Sequence, residues 1–79
     1  MEQIPVAIFK IKLGKRIKQL RDEANLSQED LGINIGFKDK QEISRYEVKG
    51  ANPTAYNLVL IAKALNVTLD ELLDFSKLP

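Results

Sequence analysis

Lys40, Gln41, Ser44 and Arg45 are the residues of this chain best suited to chemistry at a surface, and they stand close together. Ile43 and Tyr46, three positions apart, are the apolar residues among them. On a helix those two turn inward together, which leaves the four polar residues on the outer face near the helix start. Side chains of this kind can read the edges of nucleic-acid bases: Gln41 suits adenine N6/N7, and Arg45 or Lys40 suits guanine O6/N7. Covalent chemistry has no such support. The chain has neither cysteine nor histidine, which removes disulfides, thiolate metal sites, a histidine base and hydrolytic triads. No enzyme, cofactor or metal is expected.

The elements that must position these residues lie between Leu26 and Glu47. Ser27 and Asp30 have the spacing of an N-terminal capping box, and Leu31 and Ile35 give the helix they open one apolar edge. Gly36 stops that helix. Asp39 and Glu42 repeat the box and start a second helix, with Asp39 as N-cap and Ile43 and Tyr46 on its inward side. Two helices joined by a glycine-containing turn make a helix-turn-helix.

The rest of the chain reads as helices that complete a small core. A helix through Ala24 would bury Phe9, Leu13, Ile17, Leu20 and Ala24. Residues 1–9 are open to two readings, a tail or an extension of this helix. The expectation is a start near Ile8 with a loose tail before it. If the helix ran from Pro5, then Ile4, Ile8 and Ile11 would form a stripe away from the core. After the loop at 48–54, Thr54 caps a fourth helix with Leu58, Ile61, Ala62 and Leu65 on one face, and Asn66 ends it. Thr68 and Glu71 form a third box and open a fifth helix, edged by Leu69, Leu72 and Leu73. The fold class is all-α, a compact bundle of five helices over residues 10–75, followed by a C-terminal tail at 76–79.

Composition fits one small domain. The chain has 79 residues, 44% of them hydrophobic and 29% charged, with a net charge of +1. Near neutrality hides polarity: Lys10, Lys12, Lys15, Arg16, Lys18 and Arg21 precede position 22, whereas Asp70, Glu71 and Asp74 lie at the other end. No apolar run approaches the roughly 18–20 residues needed to cross a bilayer. A cytoplasmic protein with no membrane partner is expected.

Three segments, LGKRIKQLRDEANLSQEDL, ISRYE and NPTAYNLVLIAKALNVTLDELL, together resemble the DNA-binding domain of the Cro/C1-type (XRE) helix-turn-helix regulators of bacteria and phages. The resemblance covers about residues 13–73. It implies a sequence-specific binder of double-stranded DNA acting as a transcriptional regulator, a repressor above all. The family's base-contacting positions, counted back from Ile43, fall on Lys40, Gln41, Ser44 and Arg45. Its glutamine at the start of helix 2, here Gln28, binds phosphate and buttresses the recognition helix. The free N–H groups and dipole of that helix end favour the same ligand. Lys38, Lys49, Asn52 and Thr54 are further phosphate candidates. The family pairs the positions of Arg21 and Glu47 across two helices, and Arg21 could also reach a phosphate.

Two departures from the family stand out. One residue more than usual lies between Gly36 and Ile43, which the Asp39 box places in a lengthened turn, Phe37–Lys38. Lys49 occupies the usual glycine position, with Gly50 one place later. Gly32 reads as a small residue where helices 2 and 3 approach, and Gly14 has no evident role. A homodimer on a palindromic operator is expected, because paired half-sites raise affinity. Candidate dimer surfaces are the Ile4/Ile8/Ile11 stripe, the Tyr56 and Val59 face, and Leu72 to Phe75. The alternative is an antitoxin-like protein-interaction module whose DNA binding is secondary or lost.

Overall fold

A computed structural model describes residues 3–79. Among them are five α-helices: α1 Val6–Glu23, α2 Gln28–Asn34, α3 Gln41–Val48, α4 Ala55–Ala64 and α5 Leu69–Leu72. A 3₁₀ turn follows at Phe75–Lys77, and no strand is present among the described residues. Leu13 and Ile17 of α1, Leu31 of α2, Ile43 and Tyr46 of α3, Ile61 of α4 and Leu72 of α5 meet in one core. α3 lies in the middle, packed on both α1 and α2.

Helix ends are set by local chemistry. Ser27 and Thr68 each accept from the backbone N–H three residues on, and Asp30 and Glu71 reach back to the cap N–H, so both boxes close. Thr54 accepts from the Asn57 N–H at 3.1 Å. Caps of this kind contribute about 1 kcal/mol each. α1 and α4 stop where Asn25 and Asn66 take a positive φ of 58°. The N–H groups of Leu26 and Val67 then bond back to the carbonyls of Arg21 and Ala62, the arrangement that satisfies the last carbonyls of a helix. Gly36 at φ 93° does the same for α2.

Several expectations are corrected. α1 begins at Val6 rather than near Ile8: Pro5 is its extended N-cap, and the Phe9 N–H already bonds to the Pro5 carbonyl at 3.0 Å. Phe9 is held by an edge-on contact with Phe75, their ring centres 5.7 Å apart. Met1 and Glu2, part of the segment read as tail or extension, lie outside the described residues. Ala24 is exposed because it caps α1 rather than continuing its buried face. Leu69, in the first turn of α5, is also exposed. Leu72 is fully buried, and Leu73 and Phe75 are half-buried against the core. The 76–79 tail is tied down, since Gln19 Nε2 donates to the Lys77 carbonyl at 2.9 Å.

The Asp39/Glu42 box does not form. α3 starts one residue later than that box requires, with Lys40 as N-cap, and Asp39 Oδ1 accepts instead from the Gln41 N–H at 2.9 Å. Glu42 is then the second helical residue, one short of the position a capping box needs. The turn between α2 and α3 runs through Asp39.

Gly14 has a packing role that its sequence context did not reveal. A Cβ there would lie 2.4 Å from the Tyr46 carbonyl oxygen, so α1 and α3 approach at this point only because the side chain is hydrogen. Gly32 serves similarly, with the Asp39 carbonyl oxygen 2.5 Å from where its Cβ would be.

Candidate nucleic-acid interface

With Ile43 fully buried and Tyr46 2% exposed, the outer face of α3 follows. Lys40, Gln41 and Arg45 are exposed and Ser44 is half-buried. Together with Lys49 they line a shallow concavity of about 270 Å³. Three cations, an amide and a hydroxyl thus share one surface, with donors in excess of acceptors. Lys38 is exposed in the turn before it, and Asn52 and Thr54 are exposed in the loop after it. Those three and Gln28 do not line the concavity.

Behind this face α3 is fixed by a buried ion pair. Arg21 Nε donates to Glu47 Oε2 at 2.8 Å and NH2 donates to Oε1 at 3.0 Å. Gln28 Nε2 adds a third bond to Glu47 Oε1 at 3.1 Å, so α1, α2 and α3 are joined at one carboxylate. Donation to Glu47 raises the Arg21 pKa above the ordinary arginine value, against the opposing effect of burial. Arg21 is only 8% exposed, and its remaining terminus, NH1, donates to the Leu26 carbonyl at 2.8 Å. Its nitrogens are engaged inside the protein, which removes Arg21 from the phosphate candidates.

A second cluster sits at the outer edge of α3. Arg45 NH1 donates to Glu42 Oε1 and Tyr46 OH donates to Glu42 Oε2, each at 3.0 Å. Asn57 Nδ2 donates to the Tyr46 hydroxyl at 3.2 Å, linking α4 to the cluster. Burial is the main cause that raises the Tyr46 pKa, with Asn57 opposing it. Sequence reasoning missed this role of Glu42 by assigning it to a cap. The signal was its spacing of three and four from Arg45 and Tyr46, the distances at which side chains on a helix meet.

The basic N-terminal segment does not act as one patch. Arg16 is 3% exposed and donates through Nε and NH2 to the Glu71 carbonyl at 3.1 and 2.8 Å, capping the end of α5. Lys18 is paired with Asp22 at 2.6 Å. No helix among the described residues is long and apolar enough to cross a membrane.

The profile of the helix-turn-helix family matches residues 17–72. The chain belongs to that family. Its fold is similar to the restriction-modification controller protein C.AhdI from Aeromonas hydrophila, at 32% identity and TM-score 0.74, covering 80% of this chain and 94% of that one. It is also similar to the P22 c2 repressor protein in complex with a synthetic operator, at 32% identity and TM-score 0.70 over the same shares. The controller C.Esp1396I, in a nucleoprotein complex, matches over 99% of both chains at 31% identity and TM-score 0.74. No curated protein matches the chain. Family and neighbours make this chain a DNA-binding regulator of the Cro/C1 type.

Proposed function

We propose that this chain is a sequence-specific repressor that lays α3 in the major groove of double-stranded DNA. The observation that carries the reading is the outer face of α3, where Lys40, Gln41, Ser44 and Arg45 stand free of the core around one concavity. The major groove admits an α-helix and shows a distinct donor and acceptor pattern for each base pair. Gln41 reads adenine, and Arg45 and Lys40 read guanine. Gln28, Lys38, Lys49, Asn52 and Thr54 hold the phosphates on either side, fixing register without specifying sequence.

The repressor acts as a homodimer on a palindrome, each subunit reading one half-site. Two of the candidate surfaces for pairing are the more exposed: Ile8 and Ile11 with the adjoining Ile4, at 45–56% exposure, and Tyr56 with Val59, at 71% and 40%. Selection from a random duplex library at two salt concentrations tests the reading. A palindrome should be enriched, with affinity falling as salt rises because bound phosphates release counterions. Absence of enrichment would favour the protein-interaction alternative.

A further inference from the structure

We propose that Glu42 is a positioning residue for base readout, its carboxylate aiming the Arg45 guanidinium and so setting how sharply one base pair is chosen. The proposal rests on the DNA-reading function above and adds a specificity determinant to it.

Each oxygen of Glu42 has its own partner, Arg45 NH1 on Oε1 and Tyr46 OH on Oε2, both at 3.0 Å. The Tyr46 side chain is buried, and its hydroxyl is held in turn by Asn57 Nδ2 at 3.2 Å. A chain of hydrogen bonds therefore runs from α4 through the core to the outer face of α3. An ordinary exposed pair contributes little, because two flexible side chains must be immobilised together. Here the acidic partner is already fixed from beneath, so only Arg45 has to be ordered. Arginine carries five N–H donors in a rigid fork. With NH1 on Glu42, Nε and NH2 remain free to address a base edge in a set direction.

A guanidinium held this way tests one position, whereas a loose one accepts any acceptor within its reach. The carboxylate has a second effect of the same sense. It places a negative charge beside the groove, which weakens binding to every duplex and leaves discrimination to the base contacts.

The test compares the wild type with R45A, E42Q and Y46F in random-duplex selection, scoring preference at each base-pair position. Circular dichroism confirms the helical fold of each variant. A glutamine at 42 keeps the shape but removes the charge, so the two charge-assisted bonds that hold Arg45 and Tyr46 on one carboxylate become weaker neutral ones. A phenylalanine at 46 keeps the ring and removes only the hydroxyl, leaving all charges in place.

R45A should abolish preference at one position, which a bidentate arginine sets at about ten-fold or more. E42Q and Y46F should lower preference several-fold at that same position and leave the others unchanged. E42Q should also strengthen binding to non-specific duplex, which Y46F should not. Full preference retained in E42Q would overturn the proposal, as would an equal loss at all positions. Should Y46F not fold, E42Q still decides, since its side chain lies at the surface. A wild type that selects no sequence would instead defeat the DNA-reading function itself, an outcome distinct from a selective wild type matched by E42Q.

Discussion

Arg21 and Glu47 pair where α1 packs against α3, with their side chains 10% and 2% exposed. Arg45 and Glu42 pair on the outer edge of α3, with theirs 61% and 36% exposed. The chemistry is the same and the surroundings are opposite. Inside, each charge has lost water and depends on the other, so the pair fixes how three helices meet. Outside, water reaches both partners, so the pair contributes little to the fold, and the guanidinium keeps Nε and NH2 free for a further acceptor while NH1 stays on Glu42. One helix thus carries an arginine contact that holds the fold together and another that leaves its arginine available to a ligand.

The sharpest way to break that contrast is to remove each glutamate in turn. Glu47→Ala should destabilise the fold by about 3 kcal/mol, because Arg21 and Gln28 lose the buried carboxylate they share and Arg21 keeps only the exposed Asp22, at 3.3 Å, as a charged partner. Urea denaturation measures it, and a loss below about 1 kcal/mol would place the inner pair in the same class as the outer one. Gly14→Ala should follow, at about 1–3 kcal/mol, from the overpacking of α1 against the Tyr46 carbonyl. In an open helix the same change would stabilise by roughly 0.5–1 kcal/mol, so the sign alone decides whether the close approach matters.

Acid should act at the two closed capping boxes. Backbone N–H groups of Ser27 and Thr68, donated to Asp30 and Glu71, hold both carboxyl groups below their ordinary range. A carboxylate with a depressed folded-state pKa stabilises above the unfolded value, about 4. That contribution is lost as pH falls through the folded-state pKa. The double variant Asp30→Asn, Glu71→Gln should therefore show a flatter loss of stability below about pH 4 than the wild type in thermal melts across pH. Equal slopes would remove the boxes from the acid response. The smallest effect belongs to Glu42→Ala, whose cost through the exposed pair should stay within about 1 kcal/mol. A loss as large as that of Glu47→Ala would mean that the outer cluster is architectural.

Much of this was legible in the residues. Ser27 with Asp30, Thr68 with Glu71, and the glycine and asparagine stops mark helix ends through local bonds, and local bonds are written in local spacing. The inward pair Ile43 and Tyr46 likewise identifies the outer face of α3. What escaped depends on partners far along the chain. Arg16 reads as one more surface cation until the Glu71 carbonyl is found beside it, 55 positions away. Gly14 reads as a neutral helical glycine until the Tyr46 carbonyl is placed against it. Asp39 and Glu42 carried the right spacing for a cap, but the lengthened turn delivered the chain to α3 one residue later. Glu42 then met Tyr46 and Arg45 instead of a backbone N–H.

The contacts between α1 and the C-terminal segment span the longest stretches of chain. Helices and caps close over three or four residues, whereas Arg16 to Glu71 and Gln19 to Lys77 close loops of 55 and 58 positions. Loop-closure entropy grows with that span, and contacts of low sequence separation form fastest. The hydrogen bonds that fasten α5 and the 3₁₀ turn to α1 therefore carry a larger closure cost than the Arg21–Glu47 pair across 26 positions, by about 0.6 kcal/mol for a doubling of the span.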